Sequence, residues 1–201
     1  MEVKFRPVEE KDFYLVERLI RECFWDRYRP GCYEHYLVHR LHQEGQALRD
    51  LEYVGELDGE IVAHIIYSRG IIESDRLQEP LFLGPVCVRE DLRRKGIGSA
   101  LIRKTLDIAC RRGYPAVFLA GNPGFFWHFG FVSASMFGIY PEKLQMLEPY
   151  LMVKELKRDA VVGGSGKLRL APCYTLPDAQ AVKDFDREFM AEKYLMGSEK
   201  Q

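Results

Sequence analysis

Three consecutive cations, Arg93, Arg94 and Lys95, lead directly into a glycine-spaced run, Gly96-Ile97-Gly98-Ser99. Residue types in that order suit the binding of an anion. A helix start presents backbone N–H groups without intrahelical partners and carries partial positive charge. Glycines there remove the side chains that would keep a bulky anion from those donors. Stacking cations at the positive end of a helix costs roughly 0.3–1 kcal/mol for each close charge, and a bound diphosphate reverses that sign. The seven residues alone also leave open a solvated basic loop with two glycines. A dinucleotide fingerprint needs Gly or Ala three residues after Gly98, where this chain has Leu101. A P-loop needs Gly-Lys-Ser/Thr, but Gly166–Lys167 is followed by Leu168. ATP on the same helix start remains a further alternative.

The pattern around this run predicts strand, basic loop and helix. Leu81–Val88 is almost continuously apolar, as expected of a central strand buried on both faces. Residues 96–112 carry Leu101, Ile102, Thr105, Leu106 and Ala109 on one helical face and close on Arg111, Arg112 and Gly113. Upstream, a short extended segment precedes Pro7. A helix follows through Phe13, Val16, Leu19, Ile20 and Phe24, and a second over residues 33–46. Residues 51–57 and 60–68 read as a hairpin, because Asp58–Gly59 accepts the positive φ angles of a type I′ turn. Downstream come a buried strand (Ala116–Ala120), a short aromatic helix or turn at 123–129, two late strands at 150–156 and 167–174, and a polar helix at 178–194. Nothing repeats. The expectation is one domain over residues 1–201, with 178–201 as a C-terminal helical extension.

Bulk composition narrows the function. With 29 Lys+Arg against 30 Asp+Glu, the net charge of −1 lacks the basic surplus that phosphate-dominated nucleic-acid binding needs. The five cysteines form no CxxC pair and no Cys/His ligand spacing, so no metal site is expected. The first residues are charged and no apolar run approaches the ~20 residues of a membrane span, so neither a secretory signal nor membrane attachment is expected. Scattered thiols fit a reducing, cytoplasmic compartment.

With LGPVCVREDLRRKGIGSALI and, further on, FLAGNPGFFWHFGF, the chain resembles the GNAT superfamily of acyl-CoA-dependent N-acetyltransferases, and within it a bacterial branch of predicted N-acetyltransferases. Arg93, Gly96 and Gly98 match its cofactor signature, Arg/Gln-x-x-Gly-x-Gly/Ala, and Gly130–Phe131 its later Gly-Phe pair. The resemblance covers roughly residues 1–174. It implies an α/β fold with a central mixed, mostly antiparallel sheet flanked by helices and splayed between the fourth and fifth strands.

The resemblance also implies roles. Val86, Cys87 and Val88 would offer main-chain bonds to the pantetheine arm, as an added strand does. Arg93, Arg94, Lys95, Gly96, Ile97, Gly98 and Ser99 would form the cofactor site, the backbone N–H groups of residues 94–99 holding the pyrophosphate of acetyl-CoA. Asn122 would contact the arm from the neighbouring strand, and Phe126 completes the cofactor-binding set. The reaction would be direct transfer of acetyl from acetyl-CoA to a primary amine of a small molecule or peptide. A backbone N–H near Cys87 or Val88 would stabilise the oxyanion. Cys87 itself reads as inert core.

One departure stands out. The family's usual proton donor is a tyrosine four residues before the Gly of Gly-Phe, and here that position is Phe126. His128 is the substitute acid nearby, although helical geometry turns it about 160° away. The alternative is an acyl-CoA-binding sensor with weak or no turnover. Aromatics across residues 24–36 would border the acceptor groove, where ordinary packing competes with a cation cage. Homodimerisation is left open.

Overall fold

Asp58 and Gly59 take φ angles of 51° and 82° and close a two-residue turn that pairs Leu57 with Glu60. The hairpin it forms, β2 (Tyr53–Leu57) and β3 (Glu60–Ile72), is the nucleus of the sheet. The computed structural model describes residues 2–72, 77, 79–143, 145–175 and 177–198.

β1 (Lys4–Pro7) lies antiparallel to β2, and β4 (Leu81–Val88) antiparallel to β3. β5 (Ala116–Ala120) joins β4 in parallel, and the crossover between them is the long helix α3 (Ile97–Arg111). Two further short strands, β6 (Val132–Ser133) and β7 (Ile139–Pro141), precede β8 (Leu151–Glu155), which pairs antiparallel with β5 and holds β6. β9 (Gly166–Leu170) crosses back to the far end of β3, with Gly70 opposite Leu170, and carries β7 at its other edge. The sheet is therefore mixed and mostly antiparallel, with parallel steps at β4–β5 and β7–β9. The fold is α/β, as the sequence reading has it.

Each face of the sheet packs one helical layer. Because side chains alternate along a strand, Ala63, Ile65 and Tyr67 of β3 point to one side. There they meet Ile97, Leu101, Ile102, Leu106 and Ala109 of α3. Within that layer Tyr67 and Thr105 share a buried hydroxyl bond of 2.9 Å. On the other side Val54, Ile66 and Cys87 pack under α1 (Phe13–Phe24) and α2 (Glu34–Gln43).

The last predicted strand, 167–174, is shorter than expected. Pro172 has no N–H to extend the ladder, so residues Pro172–Tyr174 turn as a 3-10 helix instead. The C-terminal helix α5 (Ala179–Ser198) lays Phe185 and Phe189 against His35 on α2.

Candidate functional site

β4 and β5 pair only briefly. Leu81, Phe82 and Leu83 sit beside Val117, Phe118 and Leu119, and beyond them the two strands share no register. The cause lies in β4. Between the pairs Tyr67–Leu83 and Ile65–Val86, two residues, Gly84 and Pro85, oppose Ile66 alone. This bulge bends the strand away from its neighbour, and proline fits it because no ladder donor is required. Glycine is also required: a Cβ at Gly84 would lie 3.0 Å from Ile66 Cγ2 and 3.3 Å from Tyr174 Oη.

Past the bulge, one edge of β4 belongs to β3 and the other faces the gap. Arg89 N–H donates to the Val62 carbonyl at 2.8 Å, which fixes the phase of the antiparallel ladder. The alternation then directs the Cys87 backbone toward β3, and those of Val86 and Val88 toward the gap. Val88 O already accepts from Arg93 Nε at 3.2 Å and from the Cys23 thiol at 3.3 Å. By the same alternation, Val86 N–H, Val86 C=O and Val88 N–H face the gap edge.

The chain next makes two left-handed steps, at Arg94 (φ 62°) and Gly96 (φ 83°), and α3 begins. The intrahelical ladder opens with the bond from Ala100 N–H to Gly96 O at 2.9 Å. The N–H groups of Ile97, Gly98 and Ser99 therefore precede the intrahelical ladder. No acidic residue occupies the first turn. A Cβ at Gly98 would press on Val88 Cγ2 at 3.3 Å, so glycine lets the helix start lean on β4. Arg94 and Lys95 are exposed and make no salt bridge among the described residues.

Arg93 behaves differently from its two neighbours. Besides Val88 O, its guanidinium reaches the Cys23 carbonyl at 3.2 Å, near the end of α1, and Glu90 at 3.5 Å. It fastens α1 to β4. The neighbouring Cys87 thiol, and then Arg93, lower the pKa of the Cys23 thiol against its burial.

Across the gap, Asn122 Oδ1 caps the short helix α4 (Pro123–Phe126) by accepting from Gly124 N–H at 2.9 Å. Phe126 is 8% exposed and packs with Phe129 and Phe131. His128 is exposed, its ring 5.0 Å from that of Trp127. Within residues 24–36 two rings are already covered by the chain's own cations, Trp25 by Arg21 at 3.9 Å and Tyr33 by Arg29 at 4.3 Å. Among the described residues no group of three or more His, Cys, Asp or Glu is placed to hold a metal. No described helix is long and apolar enough to cross a membrane.

Sequence reasoning missed Tyr174, whose hydroxyl reaches the β4 bulge. It also missed a buried carboxylate, Glu52, held by His42 and His64. No motif marks either, since the residues meet only through sheet order.

A gap between parallel strands beside a bare helix start defines a class, and comparison with known proteins agrees. Residues 17–131 match the model of the acetyltransferase (GNAT) family, and the chain belongs to that family. The GNAT family N-acetyltransferase YhbS of Escherichia coli, solved with CoA, superposes with a TM-score of 0.80 at 23% identity, over 89% of this chain and 94% of that one. A GNAT family acetyltransferase of Brucella melitensis, solved with acetyl-CoA, gives 0.70 at 20% identity, over 86% and 98%. Ard1 of Thermoplasma volcanium gives 0.55 at 20% identity, over 79% and 100%. No curated protein sequence matches the chain.

Proposed function

We propose that this chain transfers acetyl from acetyl-CoA to a primary amine of a small molecule or peptide, by direct attack. One observation carries the reading. The N–H groups of Ile97, Gly98 and Ser99, which precede the intrahelical ladder and have no partner among the described residues, lie at the end of a strand whose free edge opens onto a gap. The donor set fits a diphosphate: no Cβ at Gly96 or Gly98 obstructs it, and exposed Arg94 and Lys95 supply charge. Val86 and Val88 would bond the amide-rich pantetheine as a strand partner does, with Asn122 opposite. The E. coli and B. melitensis relatives, solved with CoA and acetyl-CoA, support this ligand class.

Once both reactants are bound, their alignment supplies much of the rate. The amine nitrogen attacks the thioester carbon, and an N–H on the gap edge of β4 stabilises the oxyanion. The C–S bond then breaks and CoA leaves. Arg93, which fastens α1 to β4, would act by holding the strand end in place rather than by touching phosphate. His128 is the acid that the sequence offers next to Phe126, but it is exposed beside Trp127.

The test uses purified protein with CoA and acetyl-CoA. CoA raises the melting temperature, and Gly98→Glu, which puts bulk and negative charge at the helix start, abolishes that rise while leaving the apo fold. Acetyl-CoA with a panel of amines releases free thiol. Unchanged stabilisation in Gly98→Glu would place the ligand elsewhere. Phe126, with no proton to give, favours a second reading as an acyl-CoA sensor; tight CoA binding with no thiol release from any amine would select it.

A further inference from the structure

The position of the Tyr174 hydroxyl is not accounted for by packing. Its ring meets Phe82 edge-on, at 5.1 Å between centroids, a contact that phenylalanine would make equally well. The hydroxyl extends beyond that contact to Gly84, the first residue of β4 after its last pair with β5. This is the apex of the gap. Tyr174 reaches it because β9 pairs with the far end of β3, and the 3-10 turn after β9 folds back over the sheet. The residue also lies outside the segment that matches the family model.

At the apex, Tyr174 Oη and Ser68 Oγ are 3.0 Å apart, and Ser68 is fully buried. Two hydroxyls bring two protons, and one of them occupies the bond between the oxygens. Neither hydroxyl has a second partner among the described residues. With Ser68 donating, the Tyr174 proton is uncommitted beside the gap. On its other side Tyr174 lines a cavity of about 730 Å3, walled by Arg69, Glu79, Ile71 and Leu168 among others. The ring thus borders that cavity, while the hydroxyl lies at the apex toward which a pantetheine laid along Val88 and Val86 would point its sulfur.

We propose that Tyr174 supplies the proton that Phe126 lacks: its hydroxyl protonates the departing CoA sulfur, and the cavity beside it admits the acceptor amine. This rests on the acetyl-transfer reading above. The nitrogen lone pair forms the C–N bond, and the carbonyl electron pair moves to oxygen. As it returns, the C–S pair leaves with sulfur and takes the Tyr174 proton, giving neutral CoA thiol and a phenolate that accepts from Ser68. The attacking nitrogen, positively charged once bonded, loses one proton to water in the cavity, and the phenolate recovers one from the same water. Burial raises the Tyr174 phenol well above its usual range, so the acid carries its proton at every working pH. A thiolate left dry in the same gap is raised for the same reason, which limits how far the transfer runs uphill.

The experiment compares wild type with Tyr174→Phe, which retains the ring contact with Phe82. CoA affinity by calorimetry stays unchanged, and the melting temperature falls only by what the lost bond to the buried Ser68 hydroxyl costs. The kcat of thiol release from acetyl-CoA, with an amine or with water as acceptor, falls by about 100-fold, the scale of general-acid assistance. The solvent isotope effect on kcat is lost with it. In crystals of the wild-type CoA complex the sulfur lies within hydrogen-bonding distance of Tyr174 Oη, which tests the assignment even if the variant folds poorly. A variant as fast as wild type, or a sulfur out of reach of that hydroxyl, overturns the Tyr174 assignment alone. A wild type that releases no thiol from acetyl-CoA with any acceptor overturns acetyl transfer, and this step with it.

Discussion

Arg93 donates to the carbonyl of Val88 at 3.2 Å, and the same guanidinium holds the carbonyl of Cys23 at an equal distance. Three cations in a row therefore divide into one structural fastener and two solvent-facing charges. Arg93→Met removes charged hydrogen bonds worth about 1.5–3 kcal/mol each. The melting temperature of the apo protein falls, and α1 loosens from β4. Arg94→Met leaves that temperature in place and weakens CoA binding, by a margin that shrinks as salt rises. Scanning calorimetry and CoA titrations at two ionic strengths separate the two effects. Equal melting temperatures for Arg93→Met and wild type would remove the fastener role.

Phe126 rests on Gly121 so closely that a methyl group there would meet its ring at 2.5 Å. Gly121→Ala must displace the ring from a cluster shared with Phe129 and Phe131. Overpacking of this kind costs about 1–3 kcal/mol. Urea denaturation should show a lower midpoint with an unchanged slope. A midpoint equal to that of wild type would mean that Phe126 has room to move.

Elements whose local signal matches their final environment were legible in the chain. Asp58–Gly59 reads as a tight turn and takes the left-handed angles that such a turn needs. Leu81–Val88 reads as a central strand and is one, because helices cover both its faces. β6 and β7, with two and three residues, are too short to show any period. The tail reads as polar, yet Val182 and Phe189 are buried. In the site, the bare helix start follows from Gly96 and Gly98 themselves. The separation of Arg93 from Arg94 does not, since it arises from a backbone that is extended at one residue and left-handed at the next. Tyr174 meets Gly84 only because β9 pairs across β3, and nothing local to either residue announces that pairing.

Asp186 ties the C-terminal helix to the first two. Its Oδ1 accepts from Arg21 Nε at 2.9 Å and lies 3.2 Å from Nε2 of the fully buried His35. Asp186→Ala leaves that imidazole without its acceptor, a loss of about 1–3 kcal/mol. Limited proteolysis should then cut ahead of α5 sooner than in wild type, with CoA binding retained. Equal cleavage rates would show that Phe185 and Phe189 hold the helix unaided.

Glu52 sets the acid limit of the fold. It is fully buried, and its Oε1 lies 2.8 Å from His42 Nε2 and 3.0 Å from His64 Nε2. An ionised carboxylate only accepts, so both rings present an Nε2–H to it. Burial on its own raises a carboxyl pKa; the bonds from His42 and His64 outweigh it and bring Glu52 down to about 2, from an ordinary 4.5. Because the folded value is the lower one, the unfolded chain binds the proton more readily. The stabilisation from this group is complete above about 4.5 and is lost as pH falls from there toward 2. A difference of that size corresponds to something on the order of 3 kcal/mol. Urea midpoints measured at pH 6 and pH 3 should drop steeply for wild type. Glu52→Gln has no charge to lose, so it should start lower at pH 6 and decline less. Parallel declines in the two proteins would assign the acid sensitivity to other carboxylates, Asp12 first among them, since it too is held below its usual range beside Arg6 despite its burial.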